Sequence, residues 1–365
     1  MSLRPQPGLD SIKPYVPGKP TRELERELGI RDSIKLASNE NPLGVSPKAL
    51  AAMRGALETA NVYPDGSNYD LRLAVAKHFG FSLDEVAVGN GADDLILELS
   101  MAYLNDGDEV IASRSSFPIY DIYTHAMRAK LVKTPLAPGY RIDLDAMARA
   151  MNARTRIIYV CNPNNPTGTM VTAAELDRFM ARVPDGALVV LDDAYAEMAD
   201  SSEFPDSLGY VREGRRNVLV LRTFSKVYGL AGIRIGYGFG HRDTIAPMFR
   251  VKQAFNVNSV AQAAGIAALD DEEFVRFTVL ENRRGREFLC GEFRRLGLEF
   301  AESHTNFVLA RIGPQAGDVQ RRLLLEGVIV RPCGAYDLPE CLRVSIGTMP
   351  QNERFVAALE RVLGR

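Results

Sequence analysis

One lysine stands among residues whose chemistry differs from that of the apolar run before it. Residues 218–223 read Val-Leu-Val-Leu-Arg-Thr, a β-rich run, and Lys226 follows three positions later. It therefore sits just past the carboxyl end of a strand, where open α/β sheets place their ligands. In apolar surroundings an ammonium loses hydration, so the amine is freed to attack a carbonyl. Thr223 and Ser225 bring hydroxyls to the same turn, and Arg234 lies eight positions beyond the lysine, opening the next apolar strand. A guanidinium fork with two hydroxyls makes an anion site suited to phosphate.

An imine-forming amine beside a phosphate cup points to pyridoxal phosphate, bound covalently through its aldehyde and ionically through its phosphate. On this segment alone, a surface lysine with Arg234 in an ordinary ion pair is an equal alternative. The rest of the chain has to separate the two.

Asp192 follows the apolar strand 187–191, so its charge needs a partner. A pyridinium nitrogen would serve, because an aspartate that keeps it protonated makes the ring an electron sink. Strand alternation turns Asp193 the other way. Asn165, in an Asn-Pro-Thr-Gly turn after the strand 156–161, and Tyr195 offer donors to a ring hydroxyl. Gly91, Ala92 and Asp93 open a helix whose free amides suit a phosphate, and Phe117 could stack on a ring.

The elements needed to position these groups are legible. Strands over 86–90, 109–112, 131–134, 156–161, 187–191, 218–223 and 233–239 alternate with helices over 95–104, 118–127, 144–151 and 173–183. That alternation predicts a mostly parallel seven-stranded sheet covered by helices on both faces. Helices over 242–253 and 259–269 close this domain, and 272–296 reads as one long amphipathic helix. The tail is α+β, with strands near 306–310, 328–331 and 342–346. The expected division is an N-terminal arm, 1–45, a large domain, 46–270, and a small C-terminal domain, 271–365.

The 365 residues carry 44 Lys plus Arg against 46 Asp plus Glu, which leaves no basic footprint for nucleic acid or a membrane surface. Four scattered cysteines without CxxC spacing and four histidines without an HExxH pattern argue against a metal site. No signal-like start and no apolar run of spanning length occur, so the expected setting is a reducing cytoplasm.

Taken together, Asn-Pro-Thr-Gly, then Asp-x-Ala-Tyr, then Ser-Lys, then an arginine eight residues on, each after a strand, resemble the fold-type I PLP-dependent aminotransferases. Within them the chain is similar to the histidinol-phosphate aminotransferase family. Pro-Tyr-Val-Pro-Gly-Lys-Pro at 14–20, Leu-Ala-Ser-Asn-Glu-Asn-Pro-Leu-Gly at 36–44, Tyr-Pro-Asp-Gly at 63–66 and Cys-Leu-Arg-Val-Ser-Ile-Gly-Thr at 341–348 extend the likeness over nearly the whole chain.

The resemblance implies that Lys226 is the Schiff-base lysine, that Asp192 meets the ring nitrogen, and that Asn165 and Tyr195 meet the ring oxygen. It gives the phosphate to Thr223, Ser225, Arg234 and the amides at Gly91, Ala92 and Asp93. It further implies a homodimer in which Tyr63 reaches the partner's phosphate. Phe117 stands where many relatives carry tyrosine.

Arg343, in an otherwise apolar strand, is the implied carboxylate binder. Arg331 is the implied phosphate binder, with Tyr15 and Asn41 lining the pocket from the arm. The implied reaction is glutamate-dependent amination of imidazole-acetol phosphate to histidinol phosphate. An aromatic amino-acid aminotransferase and a non-catalytic binding protein on the same fold remain alternatives at this stage.

Overall fold

A computed structural model describes residues 3, 5–12, 14 and 17–364. The expectation for Tyr15 falls outside the described residues. Seven strands form the larger sheet in the order Val86–Gly89, Gly236–Gly240, Val218–Thr223, Leu188–Asp192, Thr155–Cys161, Glu109–Ser113 and Lys130–Thr134. Gly236–Gly240 runs antiparallel to both neighbours and the remaining pairs are parallel.

The central strands are buried on both faces, and their side chains divide with a period of two. Val189, Leu191, Val218 and Val220 enter one core, while Leu188, Val190, Leu219 and Leu221 enter the other. That parity turns Asp192 and Asp193 to opposite sides of the sheet. Cys161 pairs with Asp192, and Asp192 with Leu221, so the carboxyl ends of these parallel strands share one rim.

Five strands make the smaller sheet, in the order Ile34–Leu36, Val328–Pro332, Cys341–Ser345, Phe307–Arg311 and Glu299–Phe300. The helix Glu272–Arg295 packs Leu289 and Phe293 against it, and Met349–Leu363 adds Phe355 and Leu359. At 24 residues the first of these helices is about 36 Å long. Its buried positions Thr278, Asn282, Gly285, Arg286, Leu289 and Phe293 follow one helical stripe.

Three expectations change. Residues 34–36, read as part of an arm, form a parallel edge strand on the small sheet, paired with Val328–Val330. Three residues are too few to show a period. The strand expected over 233–239 begins only at Gly236, because Arg234 takes a left-handed conformation, φ 60. The helix expected over 242–253 divides at Pro247 into Arg242–Ile245 and Met248–Val251, as a residue without an N–H tends to divide one. Among the described residues no helix is long and apolar enough to cross a membrane.

Candidate active site

At the rim, where the large sheet meets the smaller one, the chain encloses a cavity of about 280 Å³. Lys226 lies in it, on the turn after Val218–Thr223. That turn is pinned by Phe224, fully buried, whose amide donates to Ile235 O at 3.2 Å. Gly229 completes it at φ 71; a Cβ there would stand 2.0 Å from Gly44 O, so only glycine lets the 36–44 loop close over the turn. Lys226 Nζ donates to Asn39 O at 3.4 Å and lies 5.4 Å from the Tyr195 ring centroid. Burial, and then the Arg343 charge, lower its pKa to about 8.

One wall of the cavity gathers backbone amides, hydroxyls and a guanidinium, groups that could hold an anion. The helix Ala92–Tyr103 starts at Gly91, φ 89, and presents the amides of its first turn. A Cβ on Gly91 would meet Arg234 Nη2 at 2.5 Å, so the missing side chain is what lets the guanidinium lie beside the helix start. Gly236 does the same for the strand, since its Cβ would lie 2.3 Å from Ala92 N. The left-handed turn at Arg234 aims its side chain here, with Nη2 3.7 Å from Asp93 Oδ2. Thr223 and Ser225 bring hydroxyls to the same wall, and Thr223 Oγ1 also accepts from Ser225 N at 3.0 Å. Asp93 is held above the usual carboxylate range by burial, against the pull of Arg234.

Asp192 closes the cavity from the sheet. It is 4% exposed, accepts from Tyr120 Oη at 2.5 Å and from Ala194 N at 3.2 Å, and burial raises its pKa to about 6. Nothing among these contacts supplies a positive charge, so the carboxylate suits a cationic ligand atom. Asp193 faces the other core, where Ser207 Oγ donates to it at 3.1 Å and Arg222 lies 3.7 Å away.

The small sheet supplies the opposite wall. Arg343, 3% exposed, donates from Nη1 to Asn165 Oδ1 at 2.5 Å and from Nη2 to Ala37 O at 2.6 Å. Its Nε is buried with no partner among the described residues, a donor left for a ligand. The neighbouring turn is fixed by Asn164, which donates to Ser115 O and Thr167 Oγ1 at 2.9 Å each and accepts from Ser116. Tyr195 packs edge-on against Phe307, 5.3 Å between centroids, and Phe117 lies edge-on to Tyr120 at 5.7 Å.

The structure thus brings together Ala92, Asp93, Phe117, Asn165, Asp192, Tyr195, Thr223, Ser225, Lys226, Arg234 and Arg343, with Gly91 beneath Arg234. Other expected residues stand elsewhere. Arg331 opens onto an adjoining groove of about 620 Å³ that shares Phe117 and Tyr336 with the cavity. Asn41 lines a separate cavity; its amide is taken by Val227 O at 3.0 Å and its Oδ1 by Leu43 N at 3.0 Å, so it shapes the loop. Tyr63 is 79% exposed on the surface and stacks on Phe255 at 4.7 Å.

Sequence reasoning missed Asn39, Tyr120 and Cys161. Asn39 belongs to the turn-rich loop already noticed. Tyr120 lies on a helix at a position that reads as core, which it also is, stacked on Tyr159 at 4.1 Å.

An amine set for imine formation, a buried carboxylate for a ring cation and a cradle for a phosphate together match the groups of pyridoxal phosphate. A family model described as aminotransferase class I and II matches residues 31–359. A histidinol-phosphate aminotransferase of Moorella thermoacetica is 46% identical over 353 residues, covering 97% of this chain and 91% of that one. Another, from Anaeromyxobacter sp., is 47% identical over 362 residues, covering 98% of each. The crystal structure of a histidinol-phosphate aminotransferase from Sinorhizobium meliloti in complex with pyridoxal-5'-phosphate superposes with a TM-score of 0.91. It shares 30% identity and covers 100% of this chain and 98% of that one.

Proposed function

Because the chain belongs to the class I and II aminotransferases, we propose that it moves an amino group between glutamate and imidazole-acetol phosphate, giving 2-oxoglutarate and histidinol phosphate. The observation that carries this reading is the meeting of Lys226, Asp192, Arg234 and Arg343 in one cavity. The cofactor is pyridoxal 5'-phosphate, and when bound it supplies the carbonyl that accepts the amino group and a ring that draws electrons from the substrate carbon.

The protein's own residues do the rest. Arg234, the hydroxyls of Thr223 and Ser225 and the first-turn amides hold the phosphate. Asp192 keeps a proton on the ring nitrogen, and its hydrogen-bond donors among the described residues, Tyr120 Oη and Ala194 N, are both neutral. Asn165 and Tyr195 meet the ring oxygen, and Phe117 covers the ring face. Lys226 Nζ, as a free amine, would move a proton between the reacting carbons as general base and acid. Arg343 binds the donor carboxylate with a planar fork, and Arg331 takes the substrate phosphate from the adjoining groove. Closure of the two domains, divided near 270, over this rim would exclude water.

The enzyme is a homodimer in this reading, supported by a patch in which Tyr63, Leu57, Val62, Tyr69 and Phe255 are all exposed. Tyr63 lies outside its own cavity, and in this reading it serves the partner's phosphate. Four unpaired cysteines fit a cytoplasmic setting. The test is a steady-state panel with histidinol phosphate, phenylalanine and tyrosine as donors and 2-oxoglutarate as acceptor. The reading expects the highest kcat/KM with histidinol phosphate; higher values for the aromatic amino acids would replace it.

A further inference from the structure

We propose that Asn39 is a positioning residue that holds the Tyr195 hydroxyl so that its proton is left for the cofactor's ring oxygen. Asn39 is 2% exposed and left-handed, φ 56. Its Nδ2 donates to Tyr195 Oη at 3.0 Å. The phenol therefore receives an N–H on its oxygen, and its own proton has no acceptor among the described residues. A buried hydroxyl in that state turns its proton to whatever acceptor occupies the cavity.

The amide orientation is itself determined. Asn39 N donates to Ser345 Oγ at 2.9 Å, and Ser345 Oγ donates to Asn39 Oδ1 at 2.8 Å. Reversing the amide would strand the Ser345 proton, which has no other acceptor among the described residues, so the arrangement with Nδ2 toward Tyr195 satisfies more groups. Asn306 Nδ2 donates to Asn39 O at 3.0 Å and fixes the backbone. Ser345 and Arg343 occupy alternate positions of one strand and so share a face. The strand that presents the carboxylate-binding arginine thus also orients the phenol, through Asn39.

This inference rests on the cofactor reading of the cavity, and its test does not depend on turnover. A hydroxyl donating to the ring oxygen spreads the oxygen's negative charge. Without it the oxygen holds the proton of the lysine-linked nitrogen more tightly, and the absorbance titration of the resting holoenzyme moves to higher pH. Asn39→Gly removes the amide and accepts φ 56 without strain. It is expected to raise the midpoint by about half to one pH unit. Tyr195→Phe should raise it in the same direction, and adding Asn39→Gly to Tyr195→Phe should shift it no further. Ser345→Ala, which frees the amide to turn, should give a smaller upward shift. An unshifted midpoint in Asn39→Gly, or a shift that persists undiminished in the Tyr195→Phe background, overturns the inference. Wild-type protein that forms no lysine-linked chromophore at all would instead overturn the cofactor reading.

Discussion

Arg331 and Arg343 stand directly opposite one another in the antiparallel register of Val328–Pro332 and Cys341–Ser345. Both are buried, and both lie near the Tyr336 ring, 5.8 and 5.9 Å from its centroid. Like charges opposite each other in a sheet are unfavourable, so this pairing costs stability and favours anionic ligands. Arg343→Ala is expected to raise KM for glutamate roughly ten- to hundredfold, the loss of a charge-assisted contact of about 1.5–3 kcal/mol. Arg331→Ala should raise KM for histidinol phosphate and spare glutamate. Equal effects of Arg331→Ala on both substrates in steady-state assays would remove its phosphate role.

Lys226 should capture its cofactor at lower pH than a free lysine does. Its pKa is lowered to about 8 from 10.5, first by burial and then by Arg343. The amine is bare above about pH 8, so the rate at which apoprotein takes up pyridoxal phosphate should rise through that pH and then level off. The unfolded chain holds the extra proton between about pH 8 and 10.5. This lysine therefore costs stability below pH 8, and the cost fades as pH rises toward 10.5. Arg343→Ala should move the capture midpoint upward; a wild-type midpoint near 10.5 in stopped-flow absorbance would show the amine is not tuned.

Asp192→Asn separates stability from function. Burial has raised the carboxyl to about 6, so at pH 8 the apoprotein carries a buried charge that it would be better without. The apo variant should melt at or above the wild-type temperature at pH 8. The cofactor-loaded variant should lose about 10²-fold or more in kcat, because the ring nitrogen no longer keeps its proton. A large drop in apo melting temperature would mean the carboxylate is structural.

Gly91→Ala tests the cradle. The added Cβ faces Arg234 Nη2 at 2.5 Å, and φ 89 strains any side chain there, at a cost on the order of 1–3 kcal/mol. The guanidinium must move from beside the helix start, where the proposed phosphate site lies. Equilibrium dialysis should then show cofactor affinity reduced roughly tenfold, and unchanged affinity would free Arg234 of this role.

Much of this arrangement was legible because the parallel strands write their parity into the sequence. Asp192 after an apolar run, Lys226 after 218–223 and Asn165 after 156–161 each fall where an apolar strand ends, and the sheet gathers such ends on one rim. The seven-stranded, mostly parallel sheet followed from the same runs. What stayed hidden depends on contacts between distant segments. Asn39 meets Tyr195 across 156 positions and Ser345 across 306, which no local pattern encodes. The left-handed turn at Arg234 was also hidden, since the apolar residues around it read as one strand. Asn41 is the residue the resemblance implies, and periodicity does not say which of two asparagines in one turn-rich loop points inward.

Lys226 should be the residue that joins the cofactor. Borohydride reduction of the protein loaded with pyridoxal phosphate, followed by proteolysis and mass mapping, should place one stable adduct per chain on the peptide containing Lys226. An adduct on a different lysine, or none, would contradict it.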